Sequence, residues 1–84
     1  MNHDARVPLA FVRPGMEVRL ALFGEGIDPV QREQLTAYGL TEGRPLRVLQ
    51  QQPMTVILAD EMELALELAV ARHLWVEHMP AGSR

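Results

Sequence analysis

The sequence predicts a mainly β domain: a small five-stranded barrel with one short α-helix over about 29–38 and a short helical turn over about 65–71. Three observations lead there. The chain has 84 residues, enough for one domain with a thin core. Its apolar stretches are short and punctuated by Gly, Pro and Asp at the spacing of small all-β folds, about eight to twelve residues. At this length a five-strand sheet closed on itself is economical, and closure removes edges that would invite aggregation.

Each element has its own signal. Pro14-Gly15 suits a type II turn, with Pro fixing φ near −65° and Gly accepting a positive φ. Met16-Glu17-Val18-Arg19-Leu20 then alternates as a half-buried strand should, running on to Phe23 and stopping at Gly24-Glu25-Gly26. A helix follows: Asp28 can cap, Pro29 suits the first helical position, and Gln31 stands where a capping box wants Glu or Gln. It should run to about Tyr38, with Gly39 supplying the left-handed residue that ends it. Val30, Ala37 and Tyr38 share one face with Leu35 at its margin, while Arg32 and Glu33 point away. Leu46–Gln50 is the second strand, stopped at Pro53. Thr55–Ala59 is a buried strand, and Asp60-Glu61 turns the chain into Met62–Leu64. Residues 65–71 favour helix by composition, and Leu74–Glu77 closes the sheet. Residues 1–7 read as a flexible N-terminus, 8–79 as the domain and 80–84 as a flexible tail.

Composition excludes several functions. There is no cysteine, hence no disulfide framework, thiolate nucleophile or Cys-based zinc site. The net charge is −3 and all eight basic residues are scattered arginines, so nothing supplies the basic stripe that nucleic-acid binding requires. Residues 1–6 have no apolar core, so no secretory signal is expected, and no apolar run approaches the roughly 20 residues of a membrane span. The single Ser is Ser83 and Thr stands only at 36, 41 and 55, with no base at a recognisable spacing. Gly24-Glu25-Gly26 lacks the Lys-Ser/Thr of a phosphate loop. The chain is therefore not expected to be an enzyme.

The ordered set of a Pro-Gly turn, a helix ending in Leu35-x-x-x-Gly39-Leu40-x-x-Gly43, and Leu64-Ala65-Leu66 followed by Ala71-x-x-Leu74-x-Val76 resembles the ferrous iron transport protein A (FeoA) family. The same domain stands at the C-terminus of metal-dependent repressors of the diphtheria-toxin-repressor type. The resemblance spans residues 8–77. It implies an SH3-like barrel in the cytosol that assists the membrane GTPase-transporter importing ferrous iron by binding that protein's cytosolic part. Three positions depart from the pattern. Gln31-Arg32 offers one Arg where the family often has two, Glu42 stands where it often has Pro, and Glu67 where it often has Arg.

The candidate contact residues are Arg32, Tyr38, Leu40 and Trp75. Trp75 alternates with Leu74 and Val76, so it faces outward if they face in, or else packs near Phe11 or Met79. Tyr38 and Leu40 flank the Gly39 cap and either form a small patch or pack inward. His73, Glu77 and His78 carry the ligand chemistry of Zn²⁺ or Fe²⁺. On a strand, however, His78 faces opposite to the other two, so the site would be shared in a homodimer or with a partner. Plain exposed polar residues are the alternative. Asp60, Glu61 and Glu63 read first as a solvated hairpin tip and second as metal ligands or a general acid/base pair. The Met1 amine, the amides of Asn2 and His3 and the His3 imidazole can form a square-planar site for Cu²⁺ or Ni²⁺. Three functional readings result: an accessory of ferrous iron uptake, a divalent-metal-responsive protein that dimerises or changes partners, and a detached repressor domain.

Overall fold

The computed structural model describes residues 6–79. They form six strands: β1 (Arg6–Pro8), β2 (Glu17–Phe23), β3 (Pro45–Gln50), β4 (Thr55–Ala59), β5 (Met62–Leu66) and β6 (Leu74–His78). A single 3₁₀ turn, Leu9–Phe11, follows β1; helix α1 (Pro29–Ala37) joins β2 to β3, and helix α2 (Leu68–Ala71) joins β5 to β6. Every pairing is antiparallel, in the order β1-β6-β2-β3-β4-β5. This arrangement is consistent with an SH3-like fold.

Two expectations need correction. There are six strands rather than five, and the sheet is open, with β1 and β5 as its edges, rather than a closed barrel. The extra strand draws Arg6 and Val7 out of the expected flexible N-terminus into register with Glu77 and Val76 of β6. Pro8 ends that strand on a sheet edge, where a missing N–H costs nothing. Residues 1–5 and the tail 80–84 lie outside the described residues.

Alternation fills the core. Val18 and Leu20 of β2, Leu46 and Val48 of β3, and Leu74 and Val76 of β6 all point inward and are buried. In β4, Thr55, Ile57 and Ala59 are buried, with Val56 and Leu58 half-buried between them. Two irregularities break the ladders: β2 slips register against β6 between Leu20 and Leu22, and β3 against β4 between Val48 and Gln50.

Helix α1 begins as its sequence demands: the Gln31 N–H donates to Asp28 Oδ1 at 2.8 Å, and Pro29 occupies the first turn. Its end is a Schellman motif, in which the Gly39 N–H donates to Thr36 O at 2.9 Å and the Leu40 N–H to Leu35 O at 3.0 Å. Gly39 holds the required positive φ of +99°. This motif sets Leu40 beside Leu35, and both are buried in the core. The inward face of the helix is therefore Leu35, while Val30, Ala37 and Tyr38, the expected apolar face, are exposed. The helix also stops one residue early, with Tyr38 as its C-cap.

Between 65 and 71 the chain is only partly helical. Ala65 and Leu66 pair with Val56 and Thr55 as the end of β5, and the four-residue α2 starts at Leu68. Ladder pairing and burial of Leu66 override the helix propensity of that segment.

The Asp28→Ala variant should lose about 1 kcal/mol of stability, the usual cost of removing an N-cap side chain. Urea denaturation should show a lower midpoint at unchanged m-value.

Candidate functional site

Strand β6 turns Leu74 and Val76 into the core, so Trp75 between them faces the opposite side, half-buried, paired with Pro8 of β1 and Leu22 of β2. The 3₁₀ turn presents a second aromatic. Leu9 and Val12 are anchored in the core, and Phe11 stands outward with 76% of its surface exposed. Gln51 fixes that turn: its amide Nε2 donates to Leu9 O at 3.0 Å and Val12 O at 2.6 Å, and its Oε1 accepts from the buried Thr55 hydroxyl at 2.6 Å. Helix α2, packed against the same turn, adds Leu68, and its C-cap adds Arg72. The result is a cleft of about 370 Å³ lined by Pro8, Phe11, Leu68, Arg72, His73 and Trp75. Leu68 is 61% exposed, so the apolar rim stands free in solvent with an arginine beside it.

Gly24-Glu25-Gly26, the expected strand-to-helix connector, also makes room for this wall. A Cβ on Gly24 would lie 2.6 Å from His73 O and 3.0 Å from Trp75 Nε1; one on Gly26 would lie 2.5 Å from the His73 imidazole. The Gly24 N–H donates to His73 O at 2.7 Å, closing the contact. His73 thus packs flat on backbone before β6 begins.

That placement separates the expected metal ligands. His73 rests on Gly26, His78 is exposed at the far end of β6, and Glu77 lies between Arg6 (3.4 Å) and Arg19 (3.6 Å) from its two flanking strands. Register explains the last, since Glu77 is opposite both arginines. Among the described residues no three His, Asp or Glu side chains are grouped to hold a cation, and His3 lies outside them.

The expected contact residues also disperse. Arg32, read as pointing away, sits 5.0 Å from the Phe23 ring centroid and 3.9 Å from Glu42, so Glu42 finds an ion-pair partner. Tyr38 is 53% exposed, whereas Leu40 is fully buried by the Schellman motif and presents no surface. Tyr38 instead lines a separate cleft with Leu35, Leu64 and Leu66. Trp75 does meet Phe11 in one cleft, from the outward side. From sequence alone Phe11 stands out only as a packing neighbour of Trp75, and Leu68 does not stand out. The usable signal for Phe11 was one apolar residue too many in Leu9-Ala10-Phe11-Val12 for a turn that can bury only part of its residues.

Among the described residues no helix is long and apolar enough to cross a membrane.

A family model described as the FeoA domain matches residues 7–78. No curated protein matches the sequence at a significant level. The fold is similar to the crystal structure of an iron uptake regulatory protein, FeoA, with TM-score 0.77 and 23% identity over 88% of this chain and 97% of that one. It is also similar to the solution structure of the FeoA protein from Chlorobium tepidum, with TM-score 0.79 and 23% identity over 93% and 74% of the two chains. A manganese-dependent transcriptional repressor superposes with TM-score 0.81 and 20% identity over 93% of this chain, which spans 39% of the repressor.

A methyl group at residue 26 should overpack the imidazole contact and cost about 1–3 kcal/mol in Gly26→Ala. Adding His73→Ala should recover much of that loss, so urea denaturation of the four members of the cycle should show non-additivity between the two sites.

Proposed function

The chain belongs to the FeoA domain family, which is associated with ferrous iron transport, and we propose that it serves ferrous iron uptake by binding the cytosolic part of the membrane GTPase-transporter. The observation that carries this reading is the extent of the family match, which takes in all but one residue of the six-stranded sheet. Such a domain acts through its surface, in the cytosol. The cleft between Phe11, Leu68 and Trp75 is the surface we assign to the transporter. An exposed phenylalanine and leucine on one rim gain about 1.5–3 kcal/mol each when a partner covers them fully. Arg72 beside them favours a carboxylate on the partner.

Titration of the purified cytosolic domain of the transporter, with and without guanine nucleotide, tests the reading. Binding should appear in at least one nucleotide state. Phe11→Ala and Leu68→Ala should each weaken it about tenfold or more, as contacts at the centre of an interface do. Absence of binding in both states would end the proposal. Binding that neither variant weakens would move the contact to another face.

A further inference from the structure

We propose that the open edge of β5 takes up an extended segment of another protein, one in which basic and apolar residues alternate, and adds it to the sheet as a seventh strand. This does not depend on which protein carries the segment, nor on the cleft around Trp75.

Strand β5 ends the sheet opposite β1, and its outer row of backbone groups has no strand beside it. At five residues it is long enough to offer a ladder, whereas β1 has three. Leu64 and Leu66 face the sheet's inner side, while Glu63 and Ala65 are exposed on the other. Beside the strand lies a cleft of about 320 Å³ walled by Leu35, Tyr38, Leu64, Leu66 and Val70, with Glu67 on its rim. An added strand would send every second side chain towards this cleft and the others towards Glu63.

Charge selects the occupant. Glu17, Glu42, Asp60 and Glu77 each lie within ion-pair distance of an arginine. Among the described residues six carboxylates have no such partner: Glu25, Asp28 and Glu33, around the start of α1, and Glu61, Glu63 and Glu67, which follow one another along this edge. Three uncompensated carboxylates beside an apolar cleft favour a segment with cations at the facing positions, because opposite charges across a ladder attract and like charges repel. A second copy of this chain is the wrong occupant. Two β5 edges paired symmetrically about Leu64 would bring Glu61 of each opposite Glu67 of the other, a like-charge clash made twice.

The probe is a fluorescein-labelled synthetic peptide of sequence Lys-Val-Arg-Val-Lys-Val-Arg, with acidic (Glu for Lys and Arg) and backbone N-methylated counterparts as controls. Anisotropy titration should show the basic peptide binding and both controls binding at least about tenfold more weakly. Hydrogen exchange should show added protection at residues 62–66. The variant Glu61→Gln/Glu63→Gln/Glu67→Gln should lose about tenfold in affinity, the sum expected of three exposed ion pairs. Tyr38→Ala, an exposed change that leaves every charge in place, should weaken binding through the cleft alone. Equal binding of acidic and basic peptides, unaltered exchange at 62–66, or a triple variant with unchanged affinity would overturn the proposal. So would a concentration-dependent dimer that protects the same amides without peptide.

Discussion

The fold turns on one pairing: the last strand of the chain lies between the first two. Strand β6 hydrogen-bonds β1 on one side and β2 on the other, with Val76 opposite both Val7 and Leu20. Closing so long a loop costs entropy before any contact repays it. Repayment comes from Leu74 and Val76, both fully buried among Leu9, Val18 and Leu20. Everything functional on that side follows. Trp75 faces outward because its neighbours face in, and the preceding turn reaches His73 onto Gly24 and Gly26 only because those positions carry no Cβ. The 3₁₀ turn after β1 is brought to the same wall by the strand before it.

Much of this was legible in the residues. The alternation from Val18 to Leu20, the Asp28-Pro29 start and the Gly39-Leu40 stop each report a local requirement of backbone or pleat, and local requirements can be read locally. What escaped depends on distant partners. Arg6–Pro8 carries no strand signal of its own and becomes one because β6 lies beside it. Leu35 rather than Val30 faces the core because the Schellman motif ties it to Leu40, a coupling that outweighs simple helical phase. Ala65-Leu66 has helical composition and is a strand because β4 offers a ladder. The ligand chemistry of His73, Glu77 and His78 was visible. That Glu77 would be held by two arginines followed only from register on both sides of β6.

Ionic contacts divide the surface in a similar way. Glu17 with Arg47, Glu77 with Arg6 and Arg19, and Glu42 with Arg32 link neighbouring elements across solvent, each worth little alone. They matter more for what they neutralise. With those charges matched, the features that stand out are an apolar cleft with Arg72 at one place and an acidic strand edge at another. The two surfaces differ in character and flank the same short helix, with Glu67 and Val70 on one cleft and Leu68 and Arg72 on the other.

The central place of β6 also governs how the protein is made. Until residues 74–78 have left the ribosome, β2 lacks its partner on that side and β1 has none at all. The nascent chain can form the β3-β4-β5 meander as it emerges, since those pairings are local. Completion of the sheet must wait for the final strand, leaving the flank of β2 exposed to chaperones or to other nascent chains during that interval.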